Sequence, residues 1–287
     1  MHKIAKILEI MVYIGKEIFM NKKKHKKIGL ALGSGGWRGL AHVGVIKGLL
    51  KHNIDFEIIA GSSTGSLMGG AYAAIQDIEK LEDILKNIGI TDLLKAFRDF
   101  RPNQGLFKGN RFKQVIKNIV GDIDIEDLPM VYGATAVDFK SGDLVFIKDG
   151  SLSTAIRASA SVPLVFQPVG IGGKELIDGA TRLPIPIPLA KELGADVVIA
   201  VNLYKNVFPV ASGKYSSLQI ALKSSHLLLR ELSRRDCEAA DITLYPDIPE
   251  GKKYNVFSRF IGNAEKLISY GEKVVDDNLE ELKSLVK

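Results

Sequence analysis

Cysteine is nearly missing from this chain of 287 residues: Cys237 stands alone. That excludes an internal disulfide framework and a cysteine-based metal cage, and makes a reducing, cytoplasmic setting the expectation. The five histidines, His2, His25, His42, His52 and His226, fall at no metal-ligand spacing, so no metal is expected and no cofactor motif replaces it. Internal repeats are missing too, and the only low-complexity stretch is a short lysine tract. Net positive charge is absent from the body, because the eight lysines and two glutamates of residues 1–27 account for the whole formal charge of +6. A basic surface that grips nucleic acid is therefore not expected. What remains is a chain long enough for one large α/β domain or two small ones, with a core that needs no covalent staples.

The leader, residues 1–27, precedes a body of residues 28–287. Ile4, Ile7, Leu8, Met11 and Ile18 fall near one face of a helix, flanked by Lys3, Lys6 and Lys16 and followed by the polybasic tract Lys22 to Lys27. Charges interrupt the segment too often for a bilayer span, and no small-residue cleavage site follows it. Two readings stay open: peripheral contact with anionic headgroups at the inner face of the membrane, or docking on protein.

The body is organised around Phe56 to Ala74, FEIIAGSSTGSLMGGAYAA. An apolar run predicts a buried strand, and the Leu, Met, Ala and Gly that follow predict a helix packed close to a sheet. Strand, sharp turn and helix meet at Ser63, with Gly61 and Gly65 where a tight turn leaves no room for side chains. The Ser63 hydroxyl is thus a candidate nucleophile. Upstream, Ile28 to Leu32 predicts a short strand running into Gly33-Ser34-Gly35-Gly36-Trp37-Arg38-Gly39, then an apolar helical stripe in which Gly44 and Gly48 permit close approach to a sheet. Such a loop at a helix N-terminus presents backbone N–H groups to an anion, with Arg38 adding charge. A dinucleotide fingerprint fails in either frame: Arg38 replaces the third glycine in one and Ser34 the first in the other, and no Walker lysine-serine pair is present. A phosphate cradle and an oxyanion hole remain. The second is favoured because loop and Ser63 end adjacent strands of a parallel sheet.

Asp77 to Asn118 reads as helical with a break at Arg101 to Gly105, either an active-site cover or outer-layer packing. Met130 to Val137 and Leu144 to Lys148 predict a hairpin about Ser141-Gly142, Ser151 to Ser161 a small-residue helix, and Val162 to Gly170 an extended segment. Asp178-Gly179 ordinarily marks a hairpin turn. It is singled out by need, since Ser63 requires a base and no histidine has a strand-end setting. Such a carboxylate must be desolvated or tightly bonded to serve. Strand Asp196 to Leu203, connection Val207 to Tyr215, helix Ser216 to Arg235, strand Ile242 to Tyr245 and a closing helix Ile261 to Val286 complete the chain. His226 follows Asp178 in the order of an α/β-hydrolase triad, but lies mid-helix.

The runs GLALGSGGWRGLAHVGVIKGLL, GSSTG and DGA, in that order, resemble the bacterial branch of the patatin-like phospholipase family from Ile28 to about Tyr204. The resemblance implies a three-layer α/β/α sandwich with a mainly parallel central sheet, and metal-independent hydrolysis of lipid esters by a Ser-Asp dyad. Carried over by position, Ser63 is the nucleophile and Asp178 the base. Gly35 and Gly36 supply the oxyanion N–H groups, and Arg38 is the basic loop residue that meets a substrate phosphate. Ser34 departs from the glycine common there. The alternative on the same fold is a non-catalytic lipid- or phosphate-binding regulator.

Overall fold

The computed structural model describes residues 26–87, 99, 107–206, 214–249 and 263–286. Residues 1–25 of the leader, the break expected at Arg101 to Gly105 and most of the connection expected at Val207 to Tyr215 lie outside the described residues.

Three all-buried strands, β1 (Ile28–Leu32), β2 (Ile58–Ser62) and β7 (Val197–Val201), make the centre of an eight-stranded sheet. Their residues alternate between two cores. Leu30, Leu32, Ile59, Val197, Ile199 and Val201 face the larger one, while Ala31, Ala60, Val198 and Ala200 face the smaller. Continuous apolar strands are what a sheet covered by helices on both faces requires. The remaining strands are β3 (Val131–Asp138), β4 (Leu144–Ile147), β5 (Val169–Ile171), β6 (Lys174–Asp178) and β8 (Ile242–Leu244), in the order β5-β6-β3-β2-β1-β7-β8 with β4 also on β3. The pairs β3–β2, β2–β1, β1–β7 and β7–β8 are parallel, and β4, β5 and β6 join antiparallel.

On the larger core lie α1 (Leu40–Lys51), α2 (Thr64–Ile75), α3 (Ile78–Asn87), α4 (Asn110–Val120), α5 (Leu152–Ser159), α8 (Ala264–Asp277) and α9 (Leu279–Val286). The short α6 (Ile187–Glu192) covers the smaller one, beside the end of α7 (Ser217–Asp236). This is the mixed α/β architecture expected, with the central sheet mostly parallel.

Three details differ from the expectation. Gly44 and Gly48 bring α1 against another helix, α8, rather than against the sheet: a Cβ on Gly44 would strike the Ile268 carbonyl, and one on Gly271 the Ala41 carbonyl. The closing helix is two helices, because Asn278 leaves helical geometry at φ −115°, ψ 17° and its side chain bonds the Val274 carbonyl at 2.7 Å. Residues 162–166 turn rather than extend, with the Val165 and Phe166 amides both donating to the Val162 carbonyl and Leu164 at φ 69°.

Candidate active site

Ser63 stands between β2 and α2 at φ 53°, ψ −119°, a region that non-glycine residues enter only when their surroundings impose it. The restraint is visible. The Ser63 amide donates to Ser159 Oγ at 2.9 Å, and the Ser63 carbonyl accepts from the Ser66 amide at 3.0 Å and Ser66 Oγ at 2.6 Å. Ser62 Oγ donates to the Leu183 carbonyl at 2.9 Å. The flanking glycines are sterically required: a Cβ at Gly65 would lie against the Leu32 and Gly33 carbonyls, and one at Gly61 against the Ser66 backbone.

Sheet register brings the carboxylate to this turn. Ser62 pairs with Thr135 across β2–β3, and Ala136 pairs with Asp178 across β3–β6. One residue beyond Ser62 is therefore level with Asp178, two strand spacings or roughly 10 Å away in backbone. The side chains close that span, and Ser63 Oγ donates to Asp178 Oδ2 at 2.6 Å. Asp178 Oδ1 accepts from the Ala180 amide at 2.8 Å, and the Asp178 amide donates to the Ser161 carbonyl at 3.1 Å. The Asp-Gly pair makes no hairpin: Gly179–Thr181 is a 3-10 turn, and a Cβ on Gly179 would meet Thr135. Burial pushes the Asp178 carboxyl up from 3.8 to about 6, against the opposing pull of the hydrogen bonds from Ser63 and Ala180.

The glycine loop lies at the adjacent strand end. Its first two amides are committed to the body, Gly33 to the Val201 carbonyl at 3.1 Å and Ser34 to the Pro184 carbonyl at 2.9 Å. The Gly35 and Gly36 amides donate to no group among the described residues, and Gly36 takes the left-handed φ of 57°. Gly39 packs where a Cβ would strike the Thr64 side chain. Beneath the loop, His42 Nε2 meets the Gly33 carbonyl at 2.7 Å, and complete burial lowers the ring to about 4. The imidazole is then neutral and donates Nε2–H, bracing the loop from α1.

Ser34 has a defined partner, with its Oγ and the buried Tyr204 hydroxyl 2.8 Å apart. Arg38, the residue expected to meet a substrate phosphate, is enclosed by the fold. Arg38 is 1 % exposed, donates from Nη1 to the Leu203 carbonyl at 2.8 Å, and lies 5.7 Å from both the Trp37 and Tyr204 ring centres. The aromatic residues and the Leu203 carbonyl hold the guanidinium inside the protein. His226 likewise joins no triad. It is buried with its ring centre 5.4 Å from that of Tyr204, and burial first, then the nearby Arg38 charge, lowers it to about 3.

Sequence reasoning missed His42, Ser159, Ser161 and Tyr204. Only the serines had a local signal, as small polar residues at the end of a small-residue helix. Arg157 ties that helix to the entering segment at 107–109. It donates to the Lys108 and Gly109 carbonyls at 2.8 and 3.1 Å, and its guanidinium lies 4.7 Å from the Phe166 ring centre.

A mostly parallel sheet between helices, carrying a hydroxyl on a constrained strand-to-helix turn, defines an α/β fold with nucleophile-elbow geometry. A model of the patatin-like phospholipase family matches residues 30–191. The chain belongs to that family. An uncharacterized NTE family protein of Mycobacterium tuberculosis is 36% identical over 177 residues, which cover 62% of this chain and 49% of that protein. Lysophospholipase NTE1 of Debaryomyces hansenii is 31% identical over 182 residues, covering 62% of this chain and 12% of that one. This chain thus spans about half the length of the first of these relatives, or less of the second. Among solved structures, VipD from Legionella pneumophila aligns with a TM-score of 0.47 and 13% identity, over 91% of this chain and 67% of that one.

Proposed function

We propose that this chain hydrolyses carboxylic esters of lipids, as a phospholipase A or lysophospholipase, through an acyl-serine intermediate. The observation that carries the reading is the 2.6 Å hydrogen bond from Ser63 Oγ to a buried carboxylate whose affinity for protons has been raised. An ordinary aspartate is a weak base for an alcohol. One poised near 6 with its acceptor lone pair already on the serine proton is better matched to the task.

In this scheme Ser63 Oγ attacks the ester carbonyl carbon as its proton passes to Asp178 Oδ2. The negative charge gathers on the former carbonyl oxygen, where the Gly35 and Gly36 amides are offered. Each such donor is typically worth about 2.7 to 4 kcal/mol of barrier. The tetrahedral adduct expels the alcohol, which leaves with the proton held on Asp178, and acyl-Ser63 remains. Water then adds to the acyl carbon while Asp178 takes its proton. Collapse releases the fatty acid, and Ser63 Oγ recovers the proton. No step calls on a metal or cofactor. Residues 1–27 supply a basic amphipathic contact for anionic headgroups, and among the described residues no helix is long and apolar enough to cross a membrane.

Labelling with a fluorophosphonate tests the reading, with Ser63→Ala as the comparison and fatty acid release from phospholipid and lysophospholipid as the second measurement. Covalent attachment at Ser63 that disappears in the variant is expected. An unlabelled wild-type protein that still binds lipid would make it a regulator on the same fold.

A further inference from the structure

The described part of α7 makes an unusual use of apolar residues. Its C-terminal end is anchored at the strand ends, where Asp236 accepts from the Ile185 amide at 3.0 Å and Asn202 donates to Cys237 Sγ at 3.3 Å. From there its 20 residues run for about 30 Å. Toward the N-terminus Ile220, Leu222, Leu227 and Leu228 are each between 46% and 66% exposed. With Tyr215 they make up five of the nine exposed large hydrophobic residues among the described residues. They occupy more than one side. Leu222 continues the row of His226, Leu229 and Ser233 that turns toward the body, whereas Ile220 and Leu227, seven apart, lie on the other face with Leu228 beside them. A helix apolar on both sides is stable only where both are covered.

Charge selects the cover. Between residues 214 and 230 the chain carries Lys214, Lys223 and Arg230 and no acidic residue. Acids return only at Glu231, which is paired with Arg234 and Arg235 near the anchored end. A second copy of this chain would set like charges against each other and cover one face only. An anionic lipid surface accepts the cations and lets both faces sink into the boundary between headgroups and acyl chains.

His226 places the helix beside the site, since it packs on Tyr204, whose hydroxyl is bonded to Ser34 of the glycine loop. Exposed apolar residues also lie on the other side of Ser63. Val162 and Leu164 follow Ser161, whose carbonyl holds the Asp178 amide, and Leu164 is 60% exposed in a left-handed conformation. We propose that the N-terminal half of α7, with Val162 and Leu164, is the surface by which the protein seats its Ser63–Asp178 site on an anionic phospholipid bilayer. This deepens, and rests on, the lipid-ester hydrolase reading.

The test uses the full chain. Vesicles of equal parts phosphatidylcholine and phosphatidylglycerol are added to wild type and to the double variant Leu227→Glu/Leu228→Glu. Sedimentation and hydrogen exchange at residues 217–230 are then measured. Slowed exchange across α7 in wild type, and at least a tenfold loss of vesicle affinity in the variant, are expected. Unchanged exchange with equal binding by both proteins would overturn the proposal. So would a wild-type dimer in light scattering that the glutamates dissociate, because α7 would then be a copy-to-copy interface. Labelling of Ser63 by a water-soluble fluorophosphonate separates the two readings: docking that fails while labelling persists removes only this proposal, and docking without labelling removes only the hydrolase.

Discussion

Replacing Asp178 by Asn should weaken the chemistry and strengthen the fold, with a pH dependence that identifies the cause. In the native protein the carboxyl sits at about 6 rather than 3.8, because burial opposes its charge more than Ser63 and Ala180 favour it. The unfolded chain therefore binds fewer protons than the native one between these values. Native stability from this group is complete below pH 3.8 and is lost as pH rises through 6. At 1.36 kcal/mol per pH unit, the ionised carboxylate costs the fold about 3 kcal/mol above pH 7. Asparagine carries no such charge, yet its carbonyl can accept from the Ala180 amide and its amide can donate to Ser63 Oγ, so the packing survives. Urea unfolding of both proteins from pH 4 to pH 8 is the assay. The stability difference, variant minus wild type, should grow by about 2.4 kcal/mol from pH 4 to pH 8, levelling off above pH 7, whatever constant offset the substitution adds. In parallel, wild-type kcat/KM on a soluble ester should rise tenfold per pH unit below about 6 and flatten above it, as expected for a base that must be ionised. Unfolding free energies that stay a fixed distance apart across the range would refute the reasoning, since Asp178 would then titrate like an exposed carboxyl.

Gly65→Ala forces a Cβ against the Leu32 and Gly33 carbonyls; a loss of about 1 to 3 kcal/mol is expected, measured by urea unfolding, together with a slower labelling rate at Ser63. Tyr204→Phe leaves the buried Ser34 hydroxyl without its bond at 2.8 Å and should cost about 1 to 3 kcal/mol. Adding Ser34→Gly removes the stranded group, so a double-mutant cycle by thermal unfolding should recover part of the loss. His226→Ala should keep kcat within tenfold of wild type, because Asp178 is bonded to Ser63 and Ala180. A drop of several orders of magnitude in steady-state hydrolysis would restore the triad.

Much of the site was legible because it is local. A strand, a turn and a helix are encoded within Phe56 to Ala74, and the glycines at 61 and 65 answer to atoms no more than one element away or at the neighbouring strand end. The loop from Gly33 to Gly39 was legible for the same reason. The burial of Arg38 was not legible because a charged residue in a glycine-rich loop is ordinarily solvated, and its enclosure depends on Leu203 and Tyr204, far along the chain. Asp178 was ambiguous by itself, since Asp-Gly most often turns a hairpin.

The amino-acid sequence determined on its own that a hydroxyl would stand on a sharp turn between a buried strand and a helix, and that no cysteine framework would be needed to hold it. These follow from short-range sterics and apolar patterning. Tertiary structure alone decided that Asp178 would be its partner, that Ser159 and Ser161 would fix the two backbones, and that His42 and Tyr204 would brace the loop. Those relations arise from strand register across β2, β3 and β6 and from burial between layers, which make hydrogen-bonded neighbours of Ser63 and Asp178, 115 residues apart, and of Ser34 and Tyr204, 170 apart.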